Sequence, residues 1–101
     1  MATLNFNGET AKKFAIRSFN RDTQFDNGEM RSYAYAGIVP DSTAVSRLQA
    51  YGLSPITRIQ IRNNSDEIIY DVNNITAQLN NITESLEDET INVSINLTVS
   101  V

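Results

Sequence analysis

The chain has 101 residues, of which 41% are hydrophobic and 20% are charged, and its formal net charge is −4. This length corresponds to a single domain, 1–101, with enough apolar content for one core. Cysteine and histidine are both absent. The sequence therefore excludes disulfides, thiolate metal sites and every catalytic triad that needs a histidine or a cysteine.

The charges are distributed unevenly along the chain. All eight basic residues lie at or before Arg62, whereas residues 63–101 contain seven acidic residues and no base. Two interpretations remain open: halves of opposite charge that pair within or between subunits, and an excess of charge on solvated faces.

The chain carries no membrane or secretion signal that we can identify. No segment reaches the roughly 18 apolar residues of a membrane span. The first residues, MATLNFNGET, lack the basic start and the apolar run of a signal peptide. We therefore expect no membrane partner, no secretion through a signal peptide, and a location in the cytoplasm of the producing cell.

The first ambiguous segment is Thr10–Phe19. One stripe has helical spacing, whereas Phe14 and Ile16 alternate as in a strand. We favour a strand that continues into a hairpin at Asn27-Gly28, because Asn-Gly supplies the two positive φ angles of a type I′ turn. The resulting register pairs Phe25 with Met30 and continues to the pair of Phe19 with Ala36. It separates an apolar face from a polar one, with Arg21 as an exception on the apolar face.

A short helix is predicted near residues 42–51. Asp41 or Ser42 can cap its start, and Gly52 and Pro55 mark its end. Its apolar residues recur at helical spacing and are Ala44, Val45, Leu48 and Tyr51.

Ile56–Arg62 and Glu67–Val72 are predicted to form a second hairpin, with Arg62 opposite Glu67 and Arg58 opposite Asp71. A small repeat follows, NITAQLN and NITESLE, at residues 74–87. It fits either a helix or a strand with a bulge near Asn80-Asn81, and we favour the bulged strand because asparagine and threonine are poor helix formers.

The last segment, Thr90–Val101, alternates without interruption between apolar residues and Asn, Ser or Thr. Such a strand must lie inside the sheet, be covered, or pair with another chain. We predict an interface through its apolar residues, which are Ile91, Val93, Ile95, Leu97 and Val99. The whole pattern predicts an α+β, mostly β fold: an antiparallel sheet of hairpins, arranged as a meander or a small sandwich, with one short helix.

No residue pattern indicates catalysis, a cofactor or a metal site. The acidic clusters near Asp22 and Glu84 are typical of solvated turns, and no glycine-rich phosphate loop exists. Nucleic-acid binding is not expected, because no basic stripe with interleaved aromatic residues extends beyond Arg31, Tyr33 and Tyr35. The best binding candidates lie on or beside the first hairpin, where tyrosine and arginine are typical of binding hot spots. These candidates are Asn20, Arg21, Arg31, Tyr33 and Tyr35.

Three segments give the chain a resemblance to a known group. They are KKFAIRSFNR (Lys12–Arg21), ITRIQIRNNSDEIIYDV (Ile56–Val72) and ITESLEDETINVSINLTV (Ile82–Val99). Their rhythm resembles that of small uncharacterised proteins of tailed bacteriophages and prophages. The resemblance implies a small virion or assembly component, or an accessory protein that inhibits a bacterial target.

Two functional hypotheses follow. The first is a non-enzymatic structural module that self-associates as a homo-oligomer or docks onto other proteins of a phage-like assembly. The second is an accessory inhibitor that binds a host protein or sequesters a small anionic ligand.

Overall fold

Seven antiparallel strands and one helix make up the computed structural model, which describes residues 1–100. The strands form one sheet in the order β5-β4-β1-β2-β3-β7-β6, and the mostly β, α+β prediction is confirmed. The elements in chain order are β1 (Thr3–Phe6), β2 (Phe14–Asp26), β3 (Glu29–Ile38), α1 (Ala44–Tyr51), β4 (Ile59–Arg62), β5 (Ile68–Val72), β6 (Thr76–Glu87) and β7 (Thr90–Ser100).

The sheet bends at a bulge in β2 and closes on itself. The start of β2, Phe14 and Ala15, pairs with β1, whereas β2 from Ile16 onward pairs with β3. The register shifts between Ile16 and Ser18. Gly37 lies opposite this bulge, and a Cβ atom there would be 2.8 Å from the Ser18 hydroxyl oxygen. β2 is thus shared between a three-stranded half (β5, β4, β1) and a four-stranded half (β2, β3, β7, β6).

One isolated backbone bridge joins β6 to the segment that precedes β4. The Ile56 and Ala77 amides each donate to the other residue's carbonyl oxygen, at 2.9 and 2.7 Å. Because Ile56 leads into β4 and Ala77 belongs to β6, this bridge turns the inner faces of the two halves toward each other.

The core fills the space between these inner faces and below α1. Leu48 of the helix is fully buried, and Tyr51 packs edge-on against Phe6 with ring centroids 5.0 Å apart. Apolar burial of this kind contributes about 25 cal/mol per Å² of surface removed from water. The core therefore holds α1 against strands that come from both halves of the sheet.

The first hairpin has the register that the sequence predicts. Phe25 pairs with Met30, and the ladder continues without a shift to Phe19 and Ala36. Asn27 and Gly28 have φ angles of 51° and 81°, as a type I′ turn requires. Of the ambiguous segment Thr10–Phe19, the part from Phe14 is strand.

The repeat at residues 74–87 is also a strand, from Thr76 to Glu87, as predicted. β6 pairs with β7, and the register shifts between Leu79 and Asn81. The extra residue is Asn80, and its side-chain Nδ2 donates to the Thr98 hydroxyl at 2.6 Å. The bulge keeps Ile82 on the inner face after Leu79, which resolves the odd repeat length.

The helix begins later than predicted, with Thr43 at its N-terminal cap. The Asp41 carboxylate accepts hydrogen bonds from the Thr43 backbone N–H and hydroxyl, at 2.7 and 2.9 Å. Asp41 thus serves the helix start from two residues before the cap. Gly52 ends the helix as predicted, at a negative φ that any residue adopts.

The predicted register of the second hairpin was wrong. Arg62 lies opposite Ile68 and Gln60 lies opposite Asp71. The physical reason is the turn: the Asn63 N–H donates to the Glu67 carbonyl oxygen at 2.9 Å, and Asp66 takes a positive φ of 65°. Glu67 is consequently part of the turn and not of the ladder. The Arg58–Asp71 contact forms nonetheless, with nitrogen–oxygen distances of 3.0 and 2.8 Å.

The last strand allows a matched test of the core. Ile95 is fully buried, whereas Ile91 on the same face is 45% exposed. We expect Ile95→Ala to lower the free energy of unfolding by about 2–5 kcal/mol, because it leaves a cavity in the core. Ile91→Ala is expected to cost under about 1 kcal/mol. Urea denaturation of both variants checks this; equal losses would contradict the assignment of the core.

The turn between β6 and β7 gives a second test. Asp88 and Glu89 both have positive φ angles, 50° and 62°, although neither is glycine. Glu89→Gly should raise the free energy of unfolding by about 1 kcal/mol, since it removes the left-handed strain of a side chain. Gly28→Ala should lower it by a similar amount, because φ there is 81°. Thermal denaturation of both variants measures the two opposite shifts.

Candidate interaction surface

Four of the five predicted binding residues share the outer face of the four-stranded half. Asn20 of β2 lies opposite Tyr35 of β3, which in turn lies opposite Asn96 of β7. In the same way, Asp22 lies opposite Tyr33, which lies opposite Thr98. Arg31 is exposed on the same hairpin and lies 3.5 Å from the Glu29 carboxylate. Side chains at these positions stand side by side on an open sheet surface. They form a polar platform and not a concave site.

Arg21 lies on the opposite, inner face. Its guanidinium donates to the Ser32 hydroxyl at 2.7 Å and to the Tyr70 hydroxyl at 3.3 Å. The ring of Tyr70 also packs against Phe19, with centroids 5.2 Å apart. Arg21 therefore joins the two halves of the sheet, and it does not share a binding surface with Arg31 and the exposed tyrosines.

The predicted interface strand is internal to the sheet. β7 pairs with β3 on one side and with β6 on the other. Val93, Ile95, Leu97 and Val99 are buried in the core of the same chain. Of the five predicted interface residues, Ile91 alone has the exposure that a contact with another chain requires.

Exposed apolar pairs mark the far ends of two hairpins. Phe25 and Met30 are cross-strand partners near the β2–β3 turn and are 77% and 51% exposed. Leu86 and Ile91 are partners near the β6–β7 turn, and Leu86 is 70% exposed. These pairs continue the apolar inner face beyond the elements that cover it. The alternation of apolar and polar residues predicts that these pairs lie on the inner face. It does not predict where the elements that cover this face end.

Two long strand edges have no partner among residues 1–100. β1 pairs with β2 only at Phe14 and Ala15, so the same edge of β2 is unpaired from Arg17 to Asp26. On the outer side of β6, the described pairing ends at the Ile56–Ala77 bridge, which leaves Gln78–Glu87 unpaired. Unpaired N–H and C=O groups in a row are a template for another strand. Sequence reasoning missed both edges, because strand order decides which strand lies at an edge.

A groove runs beside the β6 edge. Two adjoining cavities of about 290 and 400 Å³ share Gly52 and Leu53 in the loop after α1, and they follow β6 from Thr76 to Ile82. Leu53 itself is almost fully exposed. The helix end thus stands beside the edge and leaves it open.

The cleft with the most polar lining lies beside α1. It measures about 430 Å³ and is lined in part by Glu9, Lys12, Arg47 and Tyr51. The Tyr51 hydroxyl donates to the Glu9 carboxylate at 3.0 Å, and the Lys12 ammonium lies 3.0 Å from the same carboxylate. These two contacts hold the pKa of Glu9 below its ordinary value.

Burial, together with the negative charge of Glu9, raises the pKa of Tyr51 to about 12. Arg47 lies over the Phe14 ring and bonds to Asp41 at 3.3 Å. The charged groups of this cleft are therefore paired with one another.

Ion pairs join the basic first part of the chain to the acidic second part. Arg58 lies 2.8 Å from Asp71, and Lys13 and Arg62 approach Asp66 at 3.9 and 3.8 Å. The contact with Arg58 holds the pKa of Asp71 below its ordinary value. The uneven charge distribution is therefore used in part for pairing within the chain.

The part of the chain that the structure describes contains no group of three or more acidic side chains placed to hold a metal ion. Nor does any helix within residues 1–100 have the length and apolar character to cross a membrane. Comparison of the chain with protein-family models, with curated proteins and with solved structures gave no match. The arrangement offers exposed strand edges and apolar hairpin ends, which are features of protein association.

Tyr51 supplies a test of the cleft. Tyr51→Phe should lower the free energy of unfolding by about 0.5–1.5 kcal/mol at neutral pH, because it removes the hydrogen bond to Glu9. Since the pKa of Tyr51 is raised from 10.0 to about 12 on folding, its stabilisation is fully present below pH 10 and is lost as the pH rises toward 12. The variant should lack this part of the alkaline loss, whereas Tyr33→Phe should retain it. Urea denaturation across this pH range measures both effects.

Proposed function

We propose that this protein is a non-enzymatic structural module that associates with copies of itself or with other proteins of an assembly. The observation that carries the proposal is the pair of unpaired edges on β2 and β6, with exposed apolar residues beside them. Exposed edges of this length are uncommon in proteins that remain monomeric, because they recruit strands from other chains.

Each edge strand carries a bulge and one inner-face charge, Arg21 or Glu84, but lacks two other protective devices that proteins use at strand edges. Neither Arg17–Asp26 nor Gln78–Glu87 contains proline or lysine, which are frequent edge-blocking residues. The charged residues of β6, Glu84 and Glu87, have no basic partner among residues 1–100 and are exposed. Their charge favours partners that offer a base, and it disfavours indiscriminate pairing.

The wider setting is part of the same proposal. The resemblance to small phage and prophage proteins supports a role for the module in a phage-like assembly, made in the cytoplasm of the producing cell and carried in the virion. A small β-rich chain of 11.3 kDa with two adhesive edges suits such a role, because repeated copies build a large structure at low genetic cost.

A second function is favoured by the composition of the outer face. Tyr33 and Tyr35 stand there with Asn20, Asn96 and Thr98, and exposed tyrosine with asparagine and small hydroxyl residues is typical of adaptable binding surfaces. This is the alternative of an accessory inhibitor that binds a host protein. It predicts a partner whose binding is lost in Arg31→Ala/Tyr33→Ala while the fold and the mass of the free protein stay unchanged.

Self-association is tested by the mass of the purified protein. Native mass spectrometry and light scattering over the micromolar range should give multiples of 11.3 kDa that grow with concentration, because strand addition is driven by mass action. A protein that stays monomeric throughout this range would contradict self-association. The matched variant Tyr33→Ala should leave the mass distribution unchanged, since it alters the outer face and neither edge.

A further inference from the structure

The Ile56–Ala77 bridge establishes which backbone groups face outward on the β6 edge. Ala77 directs its N–H and C=O to Ile56, so its partner on β7, Val99, directs its own groups toward β3. Because backbone directions alternate along a strand, the odd-numbered residues of β7 bond to β3. The β6 residues opposite them therefore point their N–H and C=O outward, and beyond the bulge at Asn80 these residues are Ile82, Glu84 and Leu86.

The same reasoning applies to β2. Ser32 and Ala34 lie opposite Val99 and Leu97 of β7, so their backbone groups bond to β7. Their partners on β2, Thr23 and Arg21, consequently point their backbone groups away from β3. The outward positions on the β2 edge include Phe19, Arg21 and Thr23.

The two edges match in one register. When Arg21 is placed opposite Glu84 in an antiparallel pair, Phe19 falls opposite Leu86 and Thr23 opposite Ile82. All six residues direct their backbone groups outward, so each pair exchanges two hydrogen bonds. All six side chains also lie on the inner face of their sheets. The pairing places an aromatic ring against an apolar side chain and a base against an acid.

The charges favour this pairing over the alternatives. Among residues 1–100, Arg17 and Arg21 are the two bases without a carboxylate at ion-pair distance, and both lie on β2. Pairing β6 with another β6 about Glu84 would oppose two carboxylates. Pairing β2 with another β2 about Arg21 would oppose two guanidinium groups. Like charges directly opposite each other destabilise a strand pair.

From these observations we infer that copies of this chain join head to tail, with the Phe19–Thr23 edge of one copy added as an antiparallel strand to the Ile82–Leu86 edge of the next. This inference rests on the proposed self-association and specifies its partner and its register. The contact unites the four-stranded halves of neighbouring copies into one continuous sheet. Since the two edges differ, the interface is heterologous and generates a ring or an open filament, not a twofold dimer.

The register also fixes a stagger. Within one copy, Phe19 lies opposite Ala36, and Ala36 lies opposite Ile95, so Phe19 and Ile95 are at the same height in the sheet. Leu86 is at the height of Ile91, its partner on β7. Neighbouring copies are thus offset by four residues along the strands (95 − 91), which is roughly 14 Å. A repeated offset in one direction gives strands that tilt relative to the axis of the assembly.

The decisive experiment uses two edge-blocked variants. Glu84→Pro removes an outward N–H of β6, and Thr23→Pro removes an outward N–H of β2, so neither breaks a hydrogen bond within its own sheet. Each variant alone should be monomeric by native mass spectrometry. An equimolar mixture should form a one-to-one complex of two chains and nothing larger, because one free β6 edge and one free β2 edge remain.

The outcomes separate this inference from the proposed function. If both variants keep the mass distribution of the unmodified protein, the edges are not the interface, although self-association stands. If Glu84→Pro alone abolishes association, the contact is a symmetric β6 pair and the head-to-tail arrangement is overturned. An unmodified protein that is itself monomeric overturns both proposals.

A charge variant decides the question independently of proline and its effect on folding. Glu84→Lys places an ammonium opposite Arg21 of the next copy, and we expect the dissociation constant of the assembly to rise at least about tenfold. Glu67→Lys makes the same change of charge in the β4–β5 turn, away from both edges, and should leave the constant unchanged. Equal effects from the two substitutions would show that only net charge matters and would overturn the register.

Discussion

The Ile56–Ala77 bridge is the constraint on which the rest of the structure depends. Its two backbone hydrogen bonds join the segment before β4 to the start of β6, and they turn a seven-stranded sheet back on itself. Closure encloses the apolar side chains of both halves and leaves one open side for α1 to cover. On its outer side, β6 is paired only near its start, at this bridge. Similarly, β1 pairs only with the start of β2. The two long free edges therefore arise where β2 and β6 extend beyond the neighbouring segments that pair with them.

Polar side chains stabilise the sheet on both of its faces, because Arg21 lies on the inner face whereas Asn5, Gln60 and Arg62 lie on the face opposite Leu4 and Phe6. Arg21 spans from Ser32 to Tyr70, and buried Asn5 donates to Gln60 at 3.1 Å and accepts from Arg62 at 2.8 Å. No buried side-chain nitrogen or oxygen within residues 1–100 lacks a hydrogen-bond partner. Fully satisfied networks of this kind stabilise a specific arrangement of strands, whereas a half-satisfied one would destabilise it. The Arg21–Tyr70 hydrogen bond also ties the basic first part of the chain to the second part.

The sequence predicts this fold where a local rule decides the geometry. Asn27-Gly28 determines the register of the first hairpin, and the alternation from Ile91 to Val99 identifies the face of β7 that is buried. The bulge at Asn80 follows from the odd length of the repeat. The prediction fails at Asn63–Glu67, because the turn includes Glu67 and so changes the register of the β4–β5 pair. This turn contains no glycine that would have indicated its length. The sequence does not predict strand order, because strand order depends on contacts between residues far apart in the chain.

Strand order also explains why the strand that we propose to be adhesive is β6 and not β7. The uncharged alternation of β7 would be hazardous at an edge, and the fold places that strand between two others. The edge position is occupied instead by β6, which carries Glu84 on its apolar face, opposite Val93. A carboxylate at that position opposes pairing with a second β6 and tolerates a strand that offers a base at the matching place. In the proposed assembly, this charge makes the edge selective without closing it. The residue that interrupts the apolar face would then be the one that determines which strand can be added.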